Sequence, residues 1–170
     1  MCDLAELLMV EHTSIRLLSN FLYGKDSLEI FEGFNDYLVK DHVEIEEKIL
    51  FPVIVDVDYE DKDQFKATVE RIKNDHRLIE TLATNLIKWK RDGDDDKFML
   101  RLPLFYKTLT DHNSSEEELI FPRWKNIDPE LQKDALKEAI SIIDTVNRDL
   151  YVRVTGISKD FIYYISGNTR

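Results

Sequence analysis

"DHVEIEEKILFP" (residues 41–52) and "DHNSSEEELIFP" (residues 111–122) write nearly the same phrase twice in one chain. Six of the twelve positions are identical, and two more exchange Ile and Leu. The repeat extends outward: "EHTSIRLL" at 11–18 resembles "DHRLIETL" at 75–82, with an acid before the histidine and Ile and Leu after it. One half of the chain therefore offers His12, His42 and Glu46, and the other offers His76, His112 and Glu116. The gaps between successive histidines are 30, 34 and 36 residues, each enough for one helix and a turn. All four histidines of the chain belong to this pattern, one to each expected helix.

The composition agrees with helices. The chain has 170 residues, of which 43% are hydrophobic, so it can bury one core and is expected to form a single domain. Only five Gly and four Pro interrupt it, which disfavours a turn-rich β architecture. A formal charge of -11 would repel a phosphate backbone, so nucleic acid is not an expected partner. The one cysteine, Cys2, cannot form an internal disulfide. The first residues, "MCDLAELLMVEH", carry acids where a secretory signal has Lys or Arg, and no apolar run approaches the roughly 18 residues a membrane span needs. The expectation is a cytoplasmic protein with no membrane partner.

Apolar residues at helical spacing predict a first helix from Asp3 to Leu22, capped by Asp3 and ended by Gly24. A second helix can start at Asp26 and carries Leu28, Phe31, Phe34, Leu38, Ile45, Ile49 and Leu50 on one face. Pro52 is expected to kink or end it, because proline lacks the N–H and clashes with the carbonyl four residues back. After the acidic turn "DVDYEDKD", a third helix is predicted over about 62–89, followed by the loop "RDGDDDK". A fourth should occupy about 97–123, with Pro103 in its first turns and Pro122 at its end. Asp128-Pro129-Glu130 signals the start of a fifth, carrying Leu131, Leu136, Ile140, Ile143 and Val146. The tail "DFIYYISGNTR" stays open as a strand, a helical turn or a packing strap. The fold expected is all-α: an antiparallel up-down four-helix bundle over residues 1–125, with an added C-terminal helix and tail, residues 126–170, packed on the same domain.

In His42-x-x-x-Glu46 and His112-x-x-x-Glu116 the two side chains leave one helix face about 6 Å apart, so an imidazole and a carboxylate can reach a shared metal. A lone pair of this kind also arises on solvated faces, where it supports the helix. The two-fold repetition, with one histidine on each helix, is what points to metal, because bundle cores are built to hold it from facing side chains. Two imidazoles per half, with Glu46 and Glu116 free to bridge, suit a pair of first-row ions. An octahedral iron held so would keep positions for a bridging oxygen and for an outside ligand.

The phrase H-x-x-x-E-E-x-x-[IL]-[IL]-F-P, present twice with acid-His on two further helices, resembles the hemerythrin-like, or HHE cation-binding, family. The resemblance covers about residues 4–125. It implies a four-helix bundle around two non-haem iron ions with an oxo or hydroxo bridge, and a ligand set of His12, His42, Glu46, His76, His112 and Glu116. It also implies oxygen or another small diatomic molecule as the partner, for sensing, scavenging or transfer. The oxygen-storing hemerythrins carry a fifth histidine, and four positions after His76 this chain has Glu80 instead, which is a seventh ligand, a residue standing behind the ligands, or an ordinary solvated glutamate. Four histidines with two glutamates are more similar to the branch that includes iron–sulfur cluster repair proteins, which makes iron donation the alternative function. Those proteins usually add a cysteine-bearing amino-terminal segment, which is not seen here.

Other residues have weaker assignments. Phe51, Phe121, Leu50 and Ile120 can shield the pocket from water, and by default belong to the core. Glu11, Asp41, Asp75 and Asp111 precede the histidines and can orient imidazoles, or simply face solvent. Tyr23, Tyr37 and Tyr106 can approach the centre or serve only packing. Ser114 and Ser115 have no histidine at a nucleophile's spacing, so no hydrolytic role is expected. The Glu-x-x-His motif of ferritin-like oxidases is absent, since Met9, Val39, Lys73 and Leu109 stand three before the histidines. A structural zinc site is disfavoured because such sites usually close with four ligands, often Cys. A metal- and ligand-binding protein is expected before an enzyme.

Overall fold

The computed structural model describes residues 2–21, 28–57, 60–146 and 148–165, and among them there are helices and no strand. The first helix, α1 (Leu4–Phe21), starts on a reciprocal cap: Asp3 Oδ1 accepts the Glu6 N–H at 2.8 Å, and Glu6 Oε2 accepts the Asp3 N–H at 3.1 Å. This capping box satisfies two N–H groups that a helix start leaves without carbonyl partners. The expected stop at Gly24 and start at Asp26, and Tyr23, lie outside the described residues.

The second helix, α2 (28–56), is one rod with two wide turns in it. Ordinary α-helix over Leu28–Tyr37 gives way to a π-helical turn at Leu38–His42, then α-helix at Val43–Ile45, a second π turn at Glu46–Leu50 and α-helix again at Phe51–Asp56. The Val43 N–H donates to the Leu38 carbonyl and the Phe51 N–H to the Glu46 carbonyl, each five residues back. Pro52 was expected to kink or end this helix, yet the rod continues to Asp56. The wide turn just before the proline changes the hydrogen-bond register there, and so relieves the demand for the N–H that proline lacks.

Helix α3 (Lys62–Arg91) and helix α4 (Asp95–Leu119) are joined by a tight turn at Gly93, whose φ of 75° is open to glycine at little cost. Pro103 sits inside α4. Pro122, in the second copy of the repeat, does end its helix: a 3-10 turn, Phe121–Asn126, follows α4. Asp128 Oδ1 then accepts the Glu130 N–H at 2.9 Å and opens α5 (Pro129–Val146), as its signal predicted. Leu136, Ile140 and Ile143 of α5 are buried, whereas Leu131, expected on the same face, is exposed. Two short helices close the described chain, α6 (Arg148–Thr155) and α7 (Lys159–Ile165).

Helices α1 to α4 carry one histidine each and enclose a core that includes Leu4, Leu8, Ile15, Phe34, Ile45 and Phe105. Helix α5 lies against the two π turns of α2, and α6 against α1 and α2. Helices α5 and α6 thus cover the side from which His12 and His42 are supplied.

Candidate metal centre

Each histidine is placed by its own helix, and all four are buried: His12, His42, His76 and His112. Their Nε2 atoms point at two fully buried carboxylates. Glu46 Oε1 lies 3.4 Å from His42 and 3.8 Å from His12, and its Oε2 lies 3.4 Å from His76. Glu116 Oε2 lies 3.2 Å from His112 and 3.5 Å from His12, and its Oε1 lies 3.6 Å from His76. The six residues form two overlapping groups, His12–His42–Glu46–Glu116 and Glu46–His76–His112–Glu116, within each of which the candidate ligand atoms lie within 4.8 Å of one another. Both carboxylates belong to both groups.

The far side of the imidazoles explains why Nε2 points inward. His42 Nδ1 lies 2.8 Å from Glu11 Oε2, His76 Nδ1 lies 2.8 Å from Glu47 Oε1, and His12 Nδ1 lies 2.9 Å from Glu117 Oε1. A carboxylate can only accept, so each of these contacts keeps a proton on Nδ1 and turns Nε2 inward as the nitrogen that can hold a cation once it carries no proton of its own. Arg16 donates to Glu117 at 2.8 Å, and Tyr37 and Tyr151 donate to Glu11 at 3.0 and 2.6 Å. His112 Nδ1 has no hydrogen-bond partner.

Of the acids that precede the histidines, Glu11 alone orients an imidazole, and it serves His42 on the neighbouring helix. Asp75 pairs with Arg71 and Asp111 with Lys107 on their own helices. Asp41 is buried and lacks a hydrogen-bond partner, and burial, with Glu11 nearby, pushes its carboxyl up to about 7. The orienting residues that the reading above missed are Glu47 and Glu117, and behind them Arg16 and Tyr151. The repeated "EE" held the signal: the first glutamate of each pair faces the cluster, and the second reaches an imidazole on an adjoining helix.

The aromatic half of the repeat also meets the site. Phe121 stacks on His12 with centroids 5.2 Å apart, and Phe51 stacks on His76 at 5.9 Å. Leu50 and Ile120 are in the core, and Tyr37 lies over His42 at 6.2 Å. Tyr106 packs against Phe105. A cleft of about 410 Å³ opens to the cluster from one side, bordered by His42, His76, His112, Glu47 and Glu80. Glu80 is exposed at this cleft and belongs to neither ligand group.

Without a cation this constellation is electrostatically expensive. Burial alone would push the imidazoles toward neutrality, but the Glu116 and Glu46 carboxylates beside them raise His12 to about 10 and His76 to about 11. Burial likewise works against charge on Glu116, which the facing histidines nevertheless hold well below the usual carboxylate range. The carboxylates are therefore ionised, yet none of their four oxygens has an aligned hydrogen-bond donor, and His76 Nε2 has no aligned partner either. Ionised oxygens buried without donors cost several kcal/mol each in general. Cations between the two histidine pairs would meet every one of these atoms. His12 Nε2 and His42 Nε2 are 3.1 Å apart, about the spacing of adjacent ligands each roughly 2.1 Å from one ion.

The family model of the hemerythrin HHE cation binding domain matches residues 3–124. The chain belongs to that family. No curated protein and no solved structure matches it. In this hemerythrin-family chain the match ends before α5, so the segment that contributes Tyr151 to the surroundings of the site lies outside it. No described helix is long and apolar enough to cross a membrane.

Proposed function

We propose that the protein binds two non-haem iron ions between its four histidines and two shared glutamates, and uses them to take oxygen or another small diatomic molecule. The observation that carries this reading is the set of buried, ionised oxygens of Glu46 and Glu116, without aligned donors, facing inward-turned imidazoles. In it, His12 and His42 hold one ion, His76 and His112 hold the other, and Glu46 and Glu116 reach both. Bound iron would supply reversible electron transfer and affinity for diatomic molecules. The protein's own part is to fix the imidazole tautomers through Glu11, Glu47 and Glu117, to shield two rings with Phe51 and Phe121, and to admit a small molecule through the cleft beside His76 and His112. The same reading takes the four histidine-bearing helices as an antiparallel up-down bundle, with residues 126–170 packed on it as part of one domain, in a cytoplasmic protein.

One observation favours a second reading, in which iron is held and given up, as in iron–sulfur cluster repair. The cleft reaches His76 and His112 and is bordered by Glu44, Glu47 and Glu80 beside Lys48 and Arg77, so carboxylates line a path by which a cation could leave.

Metal content per chain, measured on protein purified without oxygen and followed by absorbance as air is admitted, separates these readings. Two irons with a visible band that reverses on removing oxygen are expected for diatomic binding. Two irons that oxidise irreversibly or leave the protein would favour donation, and protein that takes up no metal would overturn both.

A further inference from the structure

Glu11 has no exposed surface, and three donors meet it: His42 Nδ1 at 2.8 Å and the Tyr37 hydroxyl at 3.0 Å on Oε2, and the Tyr151 hydroxyl at 2.6 Å on Oε1. We propose that Tyr151, supplied by the segment beyond the family match, is a positioning residue: it locks Glu11 against His42 and so tightens the hold of the His12/His42 half on its cation. The inference rests on the two-cation reading of the cluster.

Tyr151 is fully buried, and its ring meets Tyr37 edge-on at 5.9 Å, with Tyr37 in turn lying over His42. Both phenols are held well above their ordinary range by burial and by the Glu11 charge, so each remains a donor. One turn after Glu11, Ser14 donates to the Thr155 carbonyl at 2.8 Å, which pins the end of α6 to α1 and limits how far Tyr151 can withdraw. A carboxylate bonded only to an imidazole could rotate about its side-chain torsions. With Tyr151 on one oxygen and Tyr37 on the other, it is fixed in the plane that His42 Nδ1 requires.

The other half of the site lacks this arrangement. By the internal repeat, Asp75 stands where Glu11 stands, but it pairs with Arg71 at 3.7 Å, and His112 Nδ1 has no partner. The support from α6 therefore falls on one ion of the two. That asymmetry separates a positioning role from general stabilisation, because a loosened fold would weaken both ions alike.

The test uses the full chain stripped of metal and titrated anaerobically with cobalt(II), whose visible bands report the ligands around each ion. Wild-type protein is expected to take two ions. Tyr151→Phe removes one oxygen atom and should weaken one of them by up to about 10-fold, less than the 10- to 100-fold effect of losing the carboxylate directly behind a ligand, with altered bands for that ion and the other unchanged. Glu11→Gln should weaken the same ion. Leu150→Ala trims the neighbouring residue of α6, whose side chain lies over Gly33, and should leave both affinities near wild type. The proposal is overturned if Tyr151→Phe leaves both affinities and spectra unchanged, if it weakens both ions equally, or if Leu150→Ala reproduces its effect. Should Tyr151→Phe not fold, Tyr37→Phe removes the second phenol from the same carboxylate and carries the same expectation and the same refutation. Wild-type protein that binds no ion would instead remove the two-cation reading on which the inference stands.

Discussion

Asp75 is one methylene shorter than Glu11, its counterpart in the repeat, and only Glu11 reaches an imidazole on the next helix. A partner on the far nitrogen raises the basicity of a ligating histidine and fixes its ring, so its absence behind His112 should make that half the weaker one. Asp75→Glu is predicted to tighten the weaker ion by up to about tenfold, measured by metal titration; unchanged affinity would mean that the longer side chain does not find His112. Within the cluster itself, His112→Ala or Glu116→Ala should lose at least one ion while helicity by circular dichroism stays near wild type, and two ions retained in both variants would sink the ligand assignment. The positions that the fold gathers into one buried cluster were legible in the sequence because i, i+4 spacing and two-fold repetition are local facts. The orienting residues Glu47 and Glu117 were not, because each serves a histidine on a different helix, and nothing along one helix says which neighbour it will face.

At the scale of elements, the wide turns of α2 decide where His42 and Glu46 sit. His42 closes the first π turn and Glu46 opens the second, so neither lies on an unbroken α-helix. Turns of this kind behave as a single residue inserted into a helix, and they occur often at functional sites. Deleting Lys40, which is exposed in the first wide turn, should let the rod close into ordinary helix. The expected result is unchanged helicity with metal content reduced to half or less, because His42 would be re-aimed. Full metal content in that deletion would show that the wide turn is incidental to the site. The existence and order of α1 to α5 were readable from apolar spacing, and so were the starts at Asp3 and Asp128, whereas α6 and α7 were too short and weakly patterned to be assigned. The passage of α2 through Pro52 was not: a 3.6-residue period carries no mark of a wide turn, and the same "FP" does end α4. Helix α5 packs across both π turns, a contact remote in the sequence.

For the molecule as a whole, metal and protons compete for the same buried atoms, which couples stability to pH. In the metal-free protein His12 and His76 are raised from 6.5 to about 10 and about 11, so the stabilisation from their pairing with Glu46 and Glu116 is complete below pH 6.5 and is lost as pH rises through 10 to 11. Glu116 is lowered from 4.5, so its share is present above pH 4.5 and is lost as pH falls below that. The site's contribution in the metal-free chain should therefore be greatest between about pH 4.5 and 6.5, declining toward alkaline pH. Cations bind neutral imidazoles and must displace those protons, so loading should strengthen as pH rises, by roughly 1.4 kcal/mol per pH unit for each proton displaced. Since an ion that binds only the native state stabilises it by mass action, the melting temperatures of loaded and metal-free protein should lie close together at pH 6 and diverge steadily by pH 9. Thermal melts of both forms across that range check the argument. A gap that stays constant would mean that the imidazoles carry no protons for the metal to displace, and a gap that narrows would mean that the pairing of His12 and His76 with the carboxylates has the wrong sign.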